Sequence, residues 1–298
     1  MFSKKNRTVV MTEYGSFFIY YFPLLFLSQK IHVHRLYFSS FSWNKLSKFR
    51  NSNFLYKVYF LLMSIIKLDK NSFLSHLYLT LFPNRISKFD ANNFVPQSCD
   101  YLCSLGFMRK IPYTQIEVSK SSTNIHWSLL PQYAGCHPYY WVFRENQKYS
   151  GITIHKIAED YDSGNIIIQK RIPISEIETS ISFRKKAAKE SISLFKNYLK
   201  NKKKLDQISI KQNRNDYTFY KSPKVNDFII SFNDSCEEII GKFRAAPDSC
   251  HVVLNRQKKK VNSIITKTGI IFFSHQRAKI KSCKTVKINE VIISYEDI

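Results

Sequence analysis

Residues 124–135 read NIHWSLLPQYAG, a pattern typical of a β-strand that ends in polar side chains and is followed by a turn. Side chains alternate along a strand, so Asn124 and His126 point to one side while Ile125 points into the core. In an open sheet of parallel strands, ligands bind outside the carboxyl ends of the strands. The stretch therefore predicts a functional pair at the end of a buried strand in an α/β fold.

The segments before this strand have the order expected of an α/β domain. Short β-branched or alternating runs at 8–11, 31–38 and 99–107 predict strands, and apolar segments at 17–27 and 54–67 predict buried helices. Alternation of strands and helices favours a parallel sheet. We therefore expect a mostly parallel, Rossmann-like sheet with helices on both faces.

The segments after the strand predict the rest of this domain and a second, smaller one. Runs at 149–158 and 164–174 predict strands, and the amphipathic segment 180–200 predicts a helix. Charge rises and apolar periodicity is lost at 201–223, as in a linker. A helix at 235–247, followed by short strands, predicts a small β-rich, OB-like barrel. The predicted boundaries are a first domain at 1–205, a linker at 206–224 and a C-terminal domain at 225–298.

The chain is strongly basic, with 46 Lys and Arg against 22 Asp and Glu and a formal net charge of +24. Such an excess favours acidic partners, including nucleic acid and phosphorylated sugars. An AT-rich genome is the alternative explanation, because its codons also enrich Lys, Asn, Ile, Phe and Tyr. Charge by itself therefore does not choose the partner.

Cysteine usage and the N-terminal apolar run indicate a cytoplasmic protein without a metal site. The six cysteines form no Cys-x-x-Cys pair and no cluster with zinc-ligand spacing. Their scattered positions suit a reducing compartment. The apolar run at 17–27 is interrupted by Pro23 and is shorter than the about 20 residues that span a bilayer. We therefore expect no stable membrane insertion.

The side chains of Asn124 and His126 suit acyl transfer without a covalent intermediate. An amide can donate to a carbonyl oxygen that gains negative charge, and an imidazole can move a proton near neutral pH. The structural alternative is a capping Asn beside a hydrogen-bonded core His, and the pair alone favours that alternative. Ser128 is not expected to be a nucleophile, because no Gly-x-Ser-x-Gly elbow surrounds it.

The wider sequence resembles the 10-formyltetrahydrofolate-dependent formyltransferase family. That family carries Asn-x-His-x-Ser-Leu-Leu-Pro, a Gly a few residues later, and Asp-x-Gly about two strands further on. The first block stands at 124–131 with Gly135, and the second ends in Asp162 and Gly164. GFMRKIP at 106–112 resembles the loop that lines the family's folate pocket. The resemblance is specific from about residue 99 to residue 174.

The resemblance implies a one-carbon transferase with 10-formyltetrahydrofolate as co-substrate and no metal. It implies a catalytic triad in which Asn124 donates to the formyl oxygen, His126 relays protons, and Asp162 orients and stabilises the imidazole. The implied folate-binding residues are Gly106, Phe107, Met108, Arg109, Ile111, Asp160 and Gly164. Leu130, Pro131 and Gly135 are the implied structural loop.

Two acceptor amines fit the two-domain layout. Methionyl-tRNA is the narrowly favoured one, because basic runs at 200–204 and 256–260 suit contacts with phosphates, although Ala134 replaces the basic residue usual in that branch. The alternative is a nucleotide-linked 4-amino-4,6-dideoxyhexose, for which the aromatic residues at 127 and 139–141 suit stacking.

Two other functions are less favoured, and the oligomeric state is left open. Glycinamide ribonucleotide is disfavoured as acceptor because TEYGSF at 12–17 has one glycine where that branch carries a glycine-rich phosphate loop. The remaining alternative is a catalytically degenerate, RNA-binding scaffold. Retention of all three triad positions argues against it, since the fold does not require that set of side chains.

Overall fold

The computed structural model describes residues 7–13, 32–39, 51, 81, 83–274 and 284–296. The helices predicted at 17–27 and 54–67 lie outside these residues. In chain order the strands are β1 Arg7–Thr12, β2 His32–Phe38, β3 Ile86–Lys88, β4 Tyr101–Leu105, β5 Ser122–His126, β6 Ala134–Gly135, β7 Tyr149–Lys156, β8 Ile166–Pro173, β9 Phe219–Tyr220, β10 Ile229–Ile230, β11 His251–Leu254, β12 Gln257–Ile265, β13 Ile271–Phe273, β14 Lys284–Ile288 and β15 Val291–Glu296. The helices are α1 Tyr113–Glu117, α2 Pro138–Arg144, α3 Ser180–Gln207 and α4 Cys236–Ala245.

The largest sheet is mostly parallel, with the order β3-β2-β1-β4-β5-β7-β8. Strand β1 pairs in parallel with β2 and β4, and β4 pairs in parallel with β5. Strand β7 runs antiparallel to β5. The parallel strands read as continuous apolar runs because neighbouring strands and packed layers bury them, and all five residues of β4 are buried.

Apolar side chains from β1, β2, β4 and the loops beside them form one core cluster. It consists of Val9, Met11, Tyr37, Phe89, Cys99, Leu102 and Ile111. Burying these side chains stabilises the carboxyl ends of the central strands, where the polar side chains of interest begin.

A second, separate sheet is built from the C-terminal strands in the order β10-β11-β12-β15-β14, with β13 paired to β12. Its long strands pair antiparallel. The predicted fold class, a mostly parallel α/β sheet followed by a small β-rich part, is therefore confirmed. Strands β6 and β9 form a short third sheet.

The chain divides into two compact units whose limits differ from a simple cut along the sequence. The first unit contains residues 1–126, 153–169 and 188–212, and the second contains residues 127–152, 170–187 and 213–298. The domain boundaries predicted from composition remain a prediction.

Candidate active site

Asn124 and His126 lie two residues apart at the carboxyl end of β5, as the alternation of side chains requires. In the register between β5 and β7, Asn124 stands opposite His155 and His126 stands opposite Thr153. His126 is buried, with 6% of its surface exposed. The strand end therefore presents an amide and an imidazole in a largely dry environment, where electrostatic contacts are stronger than in water.

The carboxylate of Asp162 lies between these two side chains. Its Oδ2 is 3.5 Å from Nδ1 of His126, and its Oδ1 accepts a hydrogen bond from Nδ2 of Asn124 at 3.2 Å. The side chain of Asp162 is 10% exposed, so the negative charge is poorly solvated and stabilises a cation beside it. The structure thus brings together the three residues of the predicted triad.

His155 is a fourth polar side chain in this group. Its Nε2 lies 3.1 Å from Nδ2 of Asn124 and 3.4 Å from Oδ1 of Asp162. Its Nδ1 lies 2.8 Å from the carbonyl oxygen of Lys156, and because a carbonyl only accepts, Nδ1 carries the hydrogen. In the neutral imidazole, Nε2 is then the acceptor, so the two N–H groups of Asn124 are directed at His155 and Asp162.

The turn that carries Asp162 has an unusual backbone and close packing. Asp162 adopts a φ of +51°, in the left-handed region where Asn and Asp are enriched. At Gly164 an added Cβ would lie 1.9 Å from the carbonyl oxygen of Lys156, so only glycine fits this position. The carbonyl oxygens of Asp162 and Gly164 both accept hydrogen bonds from Nε2 of Gln212, at 2.6 and 2.7 Å.

The residues predicted to contact folate before helix α1 follow β4 directly. Gly106 adopts a φ of +66°, which an L side chain rarely adopts and which reverses the chain after the strand. Phe107 packs edge-on against Phe89 at 5.1 Å, and Ile111 is buried in the core cluster. Met108 is exposed, and its N–H donates to the buried carboxylate of Glu13 at 3.1 Å.

Arg109 and Asp160 are exposed. Among the described hydrogen bonds, none joins either residue to the group formed by Asn124, His126, His155 and Asp162. The carbonyl oxygen of Asp160 accepts from the hydroxyl of Ser163 at 3.0 Å, which closes the turn. Roles for Arg109 and Asp160 in folate binding remain predictions.

Leu130, Pro131 and Gly135 belong to the second unit. Leu130 is buried, and the Leu130–Pro131 peptide bond is cis. Gly135 adopts a φ of +95° in the short strand β6, where an added Cβ would lie 2.3 Å from the carbonyl oxygen of Tyr220. Close approach of two backbones thus requires glycine here.

A group of aromatic side chains lies beside Glu145 in the second unit. The rings of Tyr133 and Tyr220 stack with centroids 5.3 Å apart, and Trp141 lies 5.0 Å from Tyr220. Both phenol hydroxyls donate to the carboxylate of Glu145 at 2.6 Å. Burial, followed by the hydrogen bond to Glu145, raises the pKa of Tyr220 to about 12, so this phenol stays protonated near neutral pH.

Among the residues that the structure describes, no cluster of three or more His, Cys, Asp and Glu side chains has the arrangement of a metal site. Within the same residues, no helix combines the length and the apolar character needed to cross a membrane.

Sequence reasoning assigned no role to His155 or Gln212. His155 lies inside an apolar strand, a pattern that indicates a packed side chain, and its 2% exposure fits that interpretation. Its pairing with Asn124 depends on the register of β5 and β7, which the sequence does not display. Gln212 stands in a polar segment interpreted as linker, so no periodic signal marked it.

Comparison with protein families gives a match over the same part of the chain. Residues 87–199 match the family model described as formyl transferase. The bifunctional polymyxin resistance protein ArnA of Wigglesworthia glossinidia brevipalpis is 29% identical over 180 residues, 59% of this chain and 27% of that protein. The methionyl-tRNA formyltransferase of Mycoplasma capricolum subsp. capricolum is 27% identical over 210 residues, 70% of this chain and 65% of that protein. The chain therefore spans less than two thirds of the length of each of these relatives.

A solved structure extends the similarity of fold to almost the whole chain. The N-formyltransferase from Helicobacter canadensis, solved in complex with folinic acid and dTDP-3-aminofucose, aligns with a TM-score of 0.59 and covers 97% of this chain and 99% of its own. At 17% sequence identity, this comparison concerns the fold alone.

Proposed function

Residues 87–199 belong to the formyl transferase family, and from this premise we propose that the chain is an N-formyltransferase. It transfers the formyl group of 10-formyltetrahydrofolate to a primary amine, with methionyl-tRNA as the acceptor. The observation that carries the proposal is that Asn124 and His126 both lie close to the carboxylate of Asp162. The two residues stand at the carboxyl end of a strand in a mostly parallel sheet. That constellation provides one donor for an oxyanion and one base with a charged partner.

In the proposed reaction, the acceptor amine attacks the formyl carbon and the carbonyl becomes tetrahedral. Asn124 stabilises the developing oxyanion with an Nδ2 hydrogen that otherwise bonds Oδ1 of Asp162 at 3.2 Å. When that hydrogen is released, the negative charge of Asp162 is less compensated and stabilises a neighbouring cation more strongly. The same donor thus serves the carboxylate before the attack and the oxyanion during it.

His126 moves the proton. It accepts the proton that the amine loses on attack and returns it to N10 of the folate, as the bond between the formyl carbon and N10 breaks. Asp162 faces Nδ1 of His126 at 3.5 Å and stabilises the imidazolium that exists between these two transfers. The proposed transfer is direct and requires neither a metal nor an enzyme-bound intermediate.

The co-substrate is proposed from three observations. The matched family, the loop at 106–112 beside the carboxyl ends of the central strands, and the folinic acid in the Helicobacter canadensis structure all support a folate. Met108 and Phe107 offer apolar surface for a pteridine ring, and the amide of Met108 is fixed by Glu13. These residues are proposed contacts for the folate.

Methionyl-tRNA is supported by the relative from Mycoplasma capricolum and by charge. The hairpin of β11 and β12 carries exposed Arg256 and Lys258, and the chain has a net charge of +24. Exposed Lys and Arg neutralise phosphates whatever the base sequence, which suits binding of a tRNA body.

An amino sugar linked to a nucleotide is the second candidate acceptor. The specific observation that favours it is the aromatic group of Tyr133, Tyr220 and Trp141, whose residues are partly exposed and suit packing against a base or a sugar. The sugar ligand of the Helicobacter canadensis structure points in the same direction.

Parallel transfer assays distinguish the two acceptors. The purified chain is supplied with 10-formyltetrahydrofolate and either charged initiator tRNA or a nucleotide-linked amino sugar. We expect transfer to the tRNA that weakens steeply with added salt, since phosphate contacts release counterions. Transfer to the sugar alone would make the amino sugar the acceptor and leave the proposed reaction unchanged. Transfer to neither amine would refute the N-formyltransferase proposal.

A further inference from the structure

Gln212 is a buried glutamine whose side chain bonds the backbone that carries one residue of the triad. The residue is 8% exposed. Its Nε2 donates one hydrogen to the carbonyl oxygen of Asp162 and the other to that of Gly164, at 2.6 and 2.7 Å. Its Oε1 is buried and has no hydrogen-bond partner among the described residues. The two N–H groups thus orient the amide.

The position of Gln212 is set by pairing of the backbone. Ile166 and Ile210 exchange two N–H···O hydrogen bonds of 2.8 Å, which makes them a closely bonded antiparallel pair. Two residues before Ile166 is Gly164, and two residues after Ile210 is Gln212. In antiparallel register these two residues stand opposite each other, so the side chain of Gln212 reaches the turn from a fixed point.

Two backbone carbonyls of this turn accept hydrogen bonds from one side chain, that of Gln212. Asp162 holds a φ of +51°, and a non-glycine residue in this region is stable only where its surroundings determine the conformation. The two carbonyl oxygens point to one side of the turn, and a primary amide is the side chain that can donate to both at once without a net charge. Removal of the amide takes a hydrogen-bond donor from both carbonyls, and the one at Gly164 is buried, where a lost hydrogen bond is costly.

We propose that Gln212 is a positioning residue for Asp162, an inference that rests on the proposed catalytic role of this carboxylate. By holding the carbonyls of Asp162 and Gly164, Gln212 fixes the backbone from which the carboxylate reaches His126, Asn124 and His155. The carboxylate contacts are long enough, at 3.2 to 3.5 Å, that a small shift of the turn breaks them. The polar segment after helix α3 thus takes part in building the active site.

The test compares Gln212→Met with Gln115→Met. Methionine keeps nearly the length and shape of glutamine but donates no hydrogen bond. Gln115 is the matched control, because it is fully buried and its Nε2 also donates to a backbone carbonyl, that of Gln97 at 2.9 Å. Both variants lose a buried amide, but only one loses the bonds to the turn.

Two readouts separate positioning from general destabilisation. In Gln212→Met we expect kcat to fall about 10- to 100-fold, as misplacement of a catalytic group does, with KM for 10-formyltetrahydrofolate changed less than about 2-fold. We also expect the 15N chemical shift of Nδ1 of His126 to move, since its carboxylate neighbour moves. Gln115→Met should lower thermal stability and leave both readouts unchanged.

Equal kcat in Gln212→Met and the wild-type chain, or equal loss in both variants, would overturn the inference. Should Gln212→Met fail to fold, Gln212→Asn replaces it, since its shorter amide can reach only one of the two carbonyls. The NMR measurement needs no substrate, so it tests the positioning role even if the chain transfers no formyl group. Absence of formyl transfer would refute the proposed function and leave the NMR test valid. An unmoved His126 signal in folded Gln212→Met refutes the positioning role whatever the reaction is.

Discussion

Nδ1 of His126 lies 3.5 Å from Oδ2 of Asp162, and both side chains are at least nine-tenths buried. The two residues are 36 positions apart in the sequence, on a strand end and in a left-handed turn. A buried carboxylate stabilises a cation next to it more strongly than an exposed one, because little water screens the pair. This contact supports the proposed role of His126 as the residue that accepts a proton from the amine and returns it to the folate.

Asp162→Asn removes that charge and keeps the turn. Asparagine tolerates a positive φ as well as aspartate does, so we expect normal folding. Formyl transfer should fall about 10²- to 10⁴-fold, the range of general acid–base catalysis. Asp100→Asn is the control, since Asp100 lies before β4, at the opposite end of the sheet, and pairs with Lys120. Near-normal turnover in Asp162→Asn would contradict the triad.

Asn124→Leu removes the proposed oxyanion donor and keeps the volume of the side chain. Because the donor acts mainly in the transition state, kcat and kcat/KM should fall together, by about 10²- to 10³-fold. Steady-state kinetics over a range of folate concentrations measure both. Asn197→Leu, in the exposed face of α3, should leave them unchanged. A raised KM with unchanged kcat would assign Asn124 to folate binding instead.

Gly164→Ala should disturb the turn that carries Asp162. The new Cβ would lie 1.9 Å from the carbonyl oxygen of Lys156, so the backbone must move, at a cost of about 1–3 kcal/mol in the free energy of unfolding. Activity should fall as well, because the carboxylate moves with the backbone. Gly269→Ala, where no atom lies within 4 Å of the added Cβ, should cost about 1 kcal/mol and keep activity. Urea denaturation and transfer assays of both variants decide the matter, and full activity in Gly164→Ala would count against the proposed site.

The buried thiol of Cys103 should make the free energy of unfolding depend on pH. Cys103 is fully buried in β4, and burial raises the pKa of its thiol to about 12. An unfolded cysteine ionises near pH ~8.5, so the unfolded state loses a proton that the folded state keeps. The free energy of unfolding should therefore be independent of this group below about pH 8 and fall as the pH rises towards 12.

Peptide-resolved alkylation with iodoacetamide checks this directly. At about pH 8, Cys103 should label only after denaturation, since the thiolate is the reactive form. The partly exposed Cys136 is the internal reference. Labelling of Cys103 in the folded chain at the rate of Cys136 would place β4 outside the core.

Arg256 and Lys258 should contribute to tRNA binding and not to chemistry. In Arg256→Ala/Lys258→Ala we expect weaker binding of methionyl-tRNA and a dependence of log K on log salt that is shallower by about 2, one for each lost phosphate contact. The single-turnover rate with saturating tRNA should stay unchanged. Lys120→Ala, on the exposed edge beside Asp100, serves as the control. An unchanged dependence of log K on log salt would show that this hairpin does not contact the tRNA.

Most of the fold and the close group of three polar residues could be predicted from the sequence. The strands of the main sheet are apolar runs, and the alternation in β5 correctly places Asn124 and His126 on one side. The position of Asp162 came from a resemblance, because a left-handed turn has no periodic signal. Gln212 and His155 could not be predicted as members of the site, because they reach it only through the register of Ile166 with Ile210 and of β5 with β7.

The most direct test of the account is single-turnover transfer of a 14C-labelled formyl group from 10-formyltetrahydrofolate to methionyl-tRNA, in the wild-type chain and in Asp162→Asn. We predict labelled formylmethionyl-tRNA and an equal amount of tetrahydrofolate from the wild-type chain, with a rate about 10²- to 10⁴-fold lower in the variant. Absence of labelled product with methionyl-tRNA and with the amino-sugar acceptor, from a folded wild-type chain that binds the folate, would contradict the central claim.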